Sequence, residues 1–181
     1  MGTFEKFTRS DASLLRSYAR SGDVGAFEKL YARHKDALFN YVYRSLGQFA
    51  AAEEIAQEVW IVVINQAGQY QKREAAFRTW LFTIGRNKVI DFQRRRANQA
   101  YTDIDDTAIA DTGLSAEDKV LMNQLLVQLN HLPAEQRDAF VLQQEGFSQK
   151  EICKITAVGS ETVKSRLRYA RASLKQRLGE S

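Results

Sequence analysis

Cysteine occurs once in the 181-residue chain, at Cys153, proline once, at Pro133, and histidine twice, at His34 and His131. A lone thiol excludes an internal disulfide and fits a reducing cytoplasm. As a small apolar side chain, Cys153 is expected where two helices cross closely. His34 and His131 are far apart and lack ligand spacing, so no metal and no other cofactor is expected. With proline nearly absent and β-branched alternation hardly present, the chain reads as all-helical. The longest apolar run, Val59–Ile64, has six residues, against about 20 needed to span a bilayer. No membrane span is expected. The opening MGTFEKFTRSD lacks the apolar core of an export signal, so a cytoplasmic location is expected. There is no phosphate-binding glycine loop and no nucleophile–base pairing, so the chain is expected not to be an enzyme.

What is present is a 44% hydrophobic content, enough for a packed core, and an uneven charge. The net charge is +4; residues 1–100 hold sixteen Lys/Arg and ten Asp/Glu, and residues 120–181 hold nine and six. Between them, residues 101–119 hold one Lys and six acids. Two basic blocks flank an acidic bridge, a pattern suited to two nucleic-acid contacts joined by a segment that phosphates repel.

Ser10 or Asp11 caps a first helix carrying Leu14, Leu15 and Tyr18, broken at Ser21-Gly22-Asp23. A second helix places Phe27, Leu30, Tyr31, Leu38, Val42 and Leu46 on one face and ends at Gly47. A third, from about Ala51 to Gln66, buries Ile55, Val59, Val62 and Val63. Residues 68–74 read as a loop. A fourth, about Ala76 to Arg96, carries Phe77, Trp80, Leu81, Ile84 and Phe92. The stretch YTDIDDTAIADTG (101–113) has no periodicity and reads as a flexible linker. Its thirteen residues reach roughly 43–47 Å when extended, more than the about 34 Å of one DNA turn. Order resumes at the capping box Ser115–Asp118. A stripe of Leu121, Leu125, Leu129 and Leu132 follows, then a helix from Pro133 through Val141, stopped by Gly146.

The strongest local signal is GFSQKEICKITAVGSETVKSRLRYARASLKQRL. Ser148 to Glu151 is a second capping box, opening a helix that buries Ile152 and Ile155. Ala157-Val158-Gly159 is a turn of helix-turn-helix length. Ser160 is expected to cap a last helix that buries Val163, Leu167, Ala170, Leu174 and Leu178. Glu161, Lys164, Ser165 and Arg168 share its opposite face, the geometry of a recognition helix entering a major groove. Lys164, Arg166, Arg168 and Arg171 are candidate phosphate or guanine contacts. In the first block, EAAFRTWLFTIGRNKVIDFQRRR interleaves aromatic and basic residues, as a surface that stacks unpaired bases and holds their backbone would.

FRTWLFTIGRNKVIDFQRRR, preceded by AAEEIAQEVW and followed by LPAEQRDAF, GFSQKEI and ETVKSRLRYARASLKQRL, resembles the extracytoplasmic-function sigma factors of bacterial RNA polymerase. The resemblance runs from about Asp11 to Leu178. It implies two small helical domains, sigma domain two (1–100) and sigma domain four (115–181), joined by a flexible acidic linker (101–114). Domain two would bind the clamp coiled coil of the largest polymerase subunit and open the −10 element. Domain four would read the −35 element and touch the polymerase flap. By matching position, Glu53, Glu54, Gln57, Glu58 and Trp60 would face polymerase. The loop Tyr70–Glu74, with Lys72 and Arg73, would cradle a flipped base. Arg78, Trp80, Arg86, Asn87, Lys88, Asp91, Arg94 and Arg95 would lie near the melted −10 strand. Ser160, Glu161, Thr162, Lys164, Ser165, Arg166, Arg168 and Arg171 would lie along the −35 groove. The implied partners are core polymerase, promoter DNA and an anti-sigma factor.

The chain departs from the family pattern at Ala51, where the polymerase-binding motif usually opens with an acid, and in its basic base-capturing loop. Ala157 stands where such turns often carry glycine. Two other readings remain at this point: a helix-turn-helix regulator that acts without being a polymerase subunit, and a helical adaptor with no DNA role. The second predicts that Lys164→Ala and Arg168→Ala are silent.

Overall fold

The computed structural model describes residues 9–70, 75–98 and 116–179. Lys72, Arg73, the linker 101–114 and the start of the Ser115 capping box lie outside the described residues. Among those described there are eight α-helices, one short 3-10 turn and no strand. The first domain is α1 (Asp11–Ser21), α2 (Val24–Leu46), α3 (Phe49–Gln66) with the 3-10 turn Ala67–Gln69, and α4 (Phe77–Asn98). The second is α5 (Ala116–Asn130), α6 (Ala134–Gln144), α7 (Gln149–Thr156) and α8 (Ser160–Gly179).

Local chemistry sets the helix ends. The Ser10 hydroxyl accepts from the Ser13 N–H at 3.3 Å, and the Asp23 carboxylate from the Ala26 N–H at 3.0 Å. Each satisfies one of the amides that a helix start leaves without an internal partner. Gly47 ends α2 at φ 71° and donates its N–H to the Tyr43 carbonyl, a left-handed cap that a residue with a Cβ resists. Gly85 serves packing instead: a Cβ there would lie 3.0 Å from Leu38 Cδ1, so its absence lets α4 approach α2. His34 is a core residue, 8% exposed, with Nε2 2.8 Å from Asp11 Oδ2.

Two faces differ from the sequence expectation. On α2 the fully buried Tyr41 joins Leu30, Leu38 and Val42, while Tyr31 is 41% exposed. On α5 the stripe turns by one residue: Leu126, Leu129 and Leu132 are buried, whereas Leu121 and Leu125 are 67% and 37% exposed. Apolar residues occupy both sides of α5, so periodicity alone does not choose the inner one.

The linker's reach suggests two independent modules, but the two domains pack together, and one continuous buried cluster runs from Leu14 to Leu174. α4 lies on α7 and α2 on α6. Phe82 of α4 meets Phe147, just before α7, edge to face with ring centroids 4.7 Å apart.

α7 opens with both halves of its capping box formed. The Glu151 carboxylate accepts from the Ser148 N–H at 2.9 Å and the Ser148 hydroxyl accepts from the Glu151 N–H at 3.4 Å. Ser148→Ala is expected to cost about 1 kcal/mol, read as a lowered midpoint in thermal unfolding followed by far-UV circular dichroism. The Ser148 hydroxyl and amide also hold the Glu151 carboxyl below its ordinary value of 4.5. A depressed carboxyl stabilises the fold above the ordinary value, and that increment fades as pH falls through the folded-state value. Below pH 4.5 the Glu151→Gln variant should therefore lose less stability per pH unit than the wild type. Equal slopes would rule this contribution out.

Candidate nucleic-acid interface

α8 is fixed on one side by Val163, Leu167, Ala170 and Leu174, all buried. Ala157, at the turn into it, has φ 54°, the left-handed conformation where glycine is common, reached here by a residue that pays some strain for it. Ser160 is the first residue of α8 rather than its cap: the Gly159 carbonyl accepts the first helical bond, from Val163. The Ser160 hydroxyl instead accepts from Gln149 Nε2 at 2.7 Å, tying the two helices across the turn.

On the outward face Glu161, Thr162, Lys164 and Arg168 are exposed and Ser165 is half-exposed. Lys164 Nζ is 2.7 Å from Glu161 Oε1, and the Arg168 guanidinium lies 4.9 Å from the centre of the Tyr169 ring. Neither contact removes the cation from solvent, so a phosphate or a guanine edge can take its place. Two of the expected residues are placed differently. Arg166 is half-buried, with Nη1 enclosed, and Arg171 donates to Gln143 Oε1 at 2.6 Å. Both lean toward the domain body.

The second basic face is on α4. Asn87, Asp91, Arg94 and Arg95 are exposed, and Arg94 pairs loosely with Asp91 at 3.6 Å. Trp80 is half-buried and forms an aromatic triad, its ring centre 5.2 Å from Tyr70 and 6.0 Å from Phe77. The Tyr70 hydroxyl donates to the Ala75 carbonyl at 3.0 Å, pinning the two edges of the 71–74 loop. Burial pushes the Tyr70 phenol above its ordinary value, so it stays a neutral donor at physiological pH. Lys88 is not free for DNA: its Nζ is 2.7 Å from Glu58 Oε2, binding α4 to α3.

Arg78 and Arg86 face the second domain. Arg86 Nε is 2.5 Å from Asp138 Oδ2. Arg78 donates to the Glu145 carbonyl and sets its guanidinium 4.1 Å from the Phe147 ring centre. Composition gave no sign of these partners. Asp138 and Glu145 are seven residues apart, two helical turns, and a shared face was the one signal available.

The residues expected to face polymerase divide. Glu53, Glu54 and Gln57 are exposed, Glu58 is half-buried beneath Lys88, and Trp60 is 6% exposed. Trp60 therefore does not project outward. It forms the floor of a groove between α2 and α3, T-shaped against Phe27 and Tyr31 at 5.9 and 4.9 Å. The exposed Ile61 (56%) and Ile64 (40%) extend that groove; no acidic motif pointed to them. Ala51 is 9% exposed, so the acid missing there is missing from a packed position rather than from the outer rim. Among the described residues no His/Cys/Asp/Glu group is arranged to hold a metal.

A family model described as Sigma-70 region 2 matches residues 30–99, and one described as Sigma-70, region 4, matches residues 122–174. The chain is 32% identical over 164 residues to the RNA polymerase sigma factor CarQ of Myxococcus xanthus, across 89% of this chain and 94% of that one. It is 31% identical over 173 residues to the ECF RNA polymerase sigma factor SigM of Mycobacterium tuberculosis, across 94% of this chain and 86% of that one. Among solved structures it is similar to a chain in the complex of CnrH with the cytosolic domain of CnrY. There the TM-score is 0.75 and the identity 25%, over 96% of this chain and 99% of that one. The fold is also that of a chain in the co-crystal of the sigma factor RpoE with the anti-sigma factor NepR from Bartonella quintana. That likeness has a TM-score of 0.71 at 23% identity, over 84% and 96% of the two chains.

Proposed function

The chain belongs to the sigma-70 family, in its extracytoplasmic-function group, and from that premise we propose how its two domains share a promoter. It is an RNA polymerase sigma factor that binds core polymerase and promoter DNA and directs promoter-specific initiation. The expectation of a regulator acting without polymerase gives way, because the Sigma-70 region 2 match spans α2 to α4. The adaptor reading gives way with it. Sigma factors are non-catalytic initiation factors, and we read this chain as no enzyme. Its place of work is where polymerase and promoter meet, in the cytoplasm. Among the described residues no helix is long and apolar enough to cross a membrane.

In the proposed division of labour, residues 1–100 dock on the clamp coiled coil and hold the opened −10 strand, while residues 115–181 read −35 and touch the flap. Lys164 and Arg168, with Glu161, Thr162 and Ser165, lie in the major groove. Trp80 and the exposed end of α4 take the unpaired strand by stacking and charge. Glu53, Glu54 and Gln57 rim the groove floored by Trp60, and Ile61 and Ile64 add apolar area to the same contact. An anti-sigma factor is proposed as a further partner. The carrying observation is the outward, cation-bearing face of α8 on a helix whose inner side is locked by packing. Run-off transcription with core polymerase and genomic promoter fragments tests the whole; addition of the protein is expected to yield discrete new transcripts.

The docking assignment has its own test. Glu53→Lys reverses a charge at the groove rim and is expected to weaken assembly with core polymerase about tenfold, mainly by slowing association at low salt. Surface plasmon resonance on immobilised core polymerase measures it, and an unchanged association rate removes Glu53 from the interface.

A further inference from the structure

Side chains of the second domain occupy the arginines that the first domain is proposed to offer to DNA. Asp138 Oδ2 lies 2.5 Å from Arg86 Nε, and its Oδ1 accepts from the Tyr41 hydroxyl at 2.9 Å. Glu145 Oε1 accepts from Arg44 Nη1 at 2.9 Å while its backbone carbonyl accepts from Arg78. These groups are largely out of water: the side chains of Glu145, Asp138 and Arg86 are 9%, 15% and 16% exposed. Salt screens such enclosed pairs far less than surface ones. A carboxylate presents two oxygens to a guanidinium much as a phosphate does. A residue holding Arg86 or Arg78 in this way excludes a DNA strand from it.

We propose that this closed arrangement is a self-inhibited state of the free sigma factor, in which Asp138 and Glu145 of α6 and its C-cap mask Arg86 and Arg78 from promoter DNA. Opening the chain frees them. The inference rests on the assignment of Arg78 and Arg86 to the −10 strand. It adds that the second domain regulates that site by direct occupancy, without any other protein.

Arg44 provides the lever, because it belongs to neither the proposed DNA surface nor the polymerase groove. Arg44→Glu sets two carboxylates against each other at a position with little water and drives the domains apart. It also removes a positive charge, which by itself weakens DNA binding. Masking alone predicts the opposite sign. The full-length variant is expected to show a larger radius of gyration in small-angle X-ray scattering. It is also expected to bind a fluorescent single-stranded oligothymidylate about tenfold more tightly, as when a site only about one-tenth available becomes fully available. Arg44→Glu with Glu145→Arg restores an opposite-charge pair and should return both readings to wild type. An unchanged radius in Arg44→Glu overturns the clasp. A larger radius with no gain in affinity overturns the masking.

Adding Arg86→Ala to the opened Arg44→Glu chain separates the two ideas. If affinity then falls although opening had gained nothing, the self-inhibition fails and the −10 assignment stands. If affinity does not fall, the −10 assignment of Arg86 fails and takes the inference with it.

Discussion

Replacing Lys164 and Arg168 together by alanine is expected to lower holoenzyme affinity for a promoter carrying its −35 element by about two orders of magnitude. A good base-edge contact discriminates by about 1–3 kcal/mol, so two such contacts lie in that range. The salt dependence separates the two kinds of contact. Where a side chain meets phosphate, the slope of log affinity against log salt shrinks by about one per residue. Where it meets a guanine edge, the slope holds and discrimination at one base pair relaxes. The loss will not come from unfolding. Lys164 and Glu161 are 57% and 85% exposed on their side chains, and an exposed pair of this kind contributes only about 0–1 kcal/mol to stability. Arg168 touches only Tyr169, itself 54% exposed. Fluorescence anisotropy across a salt series, with circular dichroism as the folding control, gives the answer. A change below threefold would place the −35 contact elsewhere on the domain. Arg166→Ala is a useful contrast, since its half-buried side chain bears on packing more than on readout.

The recognition helix was legible because several local signals coincide there. The Ser148–Glu151 box, a short turn and a 3.6-residue apolar stripe each fix one element, and the structure forms all three. The helices of the first domain were legible for the same reason, with ends at Ser10, Gly22, Asp23 and Gly47 set by caps that involve neighbours only a few residues away. What sequence could not supply is what depends on partners distant in the chain. Trp60 reads as an outward aromatic until Phe27 and Tyr31 of α2 close over it. Leu121 and Leu125 read as core because α5 is apolar on two sides and α6 and α8 select the other one. Asp138, Glu145, Arg44 and Arg86 each look like ordinary solvated charges. Their pairing joins residues 52 and 101 positions apart, and no periodicity encodes that. Burial raises the Glu145 carboxyl above its ordinary value, against the opposing pull of Arg44 and Arg78. Desolvation thus outweighs the ion pair at this residue, a balance set by the docked second domain and invisible in composition.

Trp80→Ala is expected to slow promoter opening by about ten- to a hundredfold while leaving binding of closed duplex within about threefold. Stacking of one base on an aromatic ring is worth about 1–3 kcal/mol, and the −10 strand gains it only once its bases leave the duplex. The loss therefore falls on strand separation and not on the first encounter. The surroundings of Trp80 support that role: Phe77, 2% exposed and packed on the His34 ring at 5.3 Å, anchors one side of the triad. Tyr70 holds a second side at 5.2 Å. The indole is thereby oriented before DNA arrives while remaining half-exposed, so little ordering is left to oppose stacking. Permanganate reactivity of unpaired thymines measures opening, and footprinting at low temperature measures the closed complex. Trp80→Phe keeps a ring on the same scaffold and should recover most of the opening rate. If phenylalanine fails as badly as alanine, the indole acts through the packing of Tyr70 and Phe77 rather than by receiving a base. If closed-complex binding falls in step with opening, Trp80 contributes to docking and not to melting.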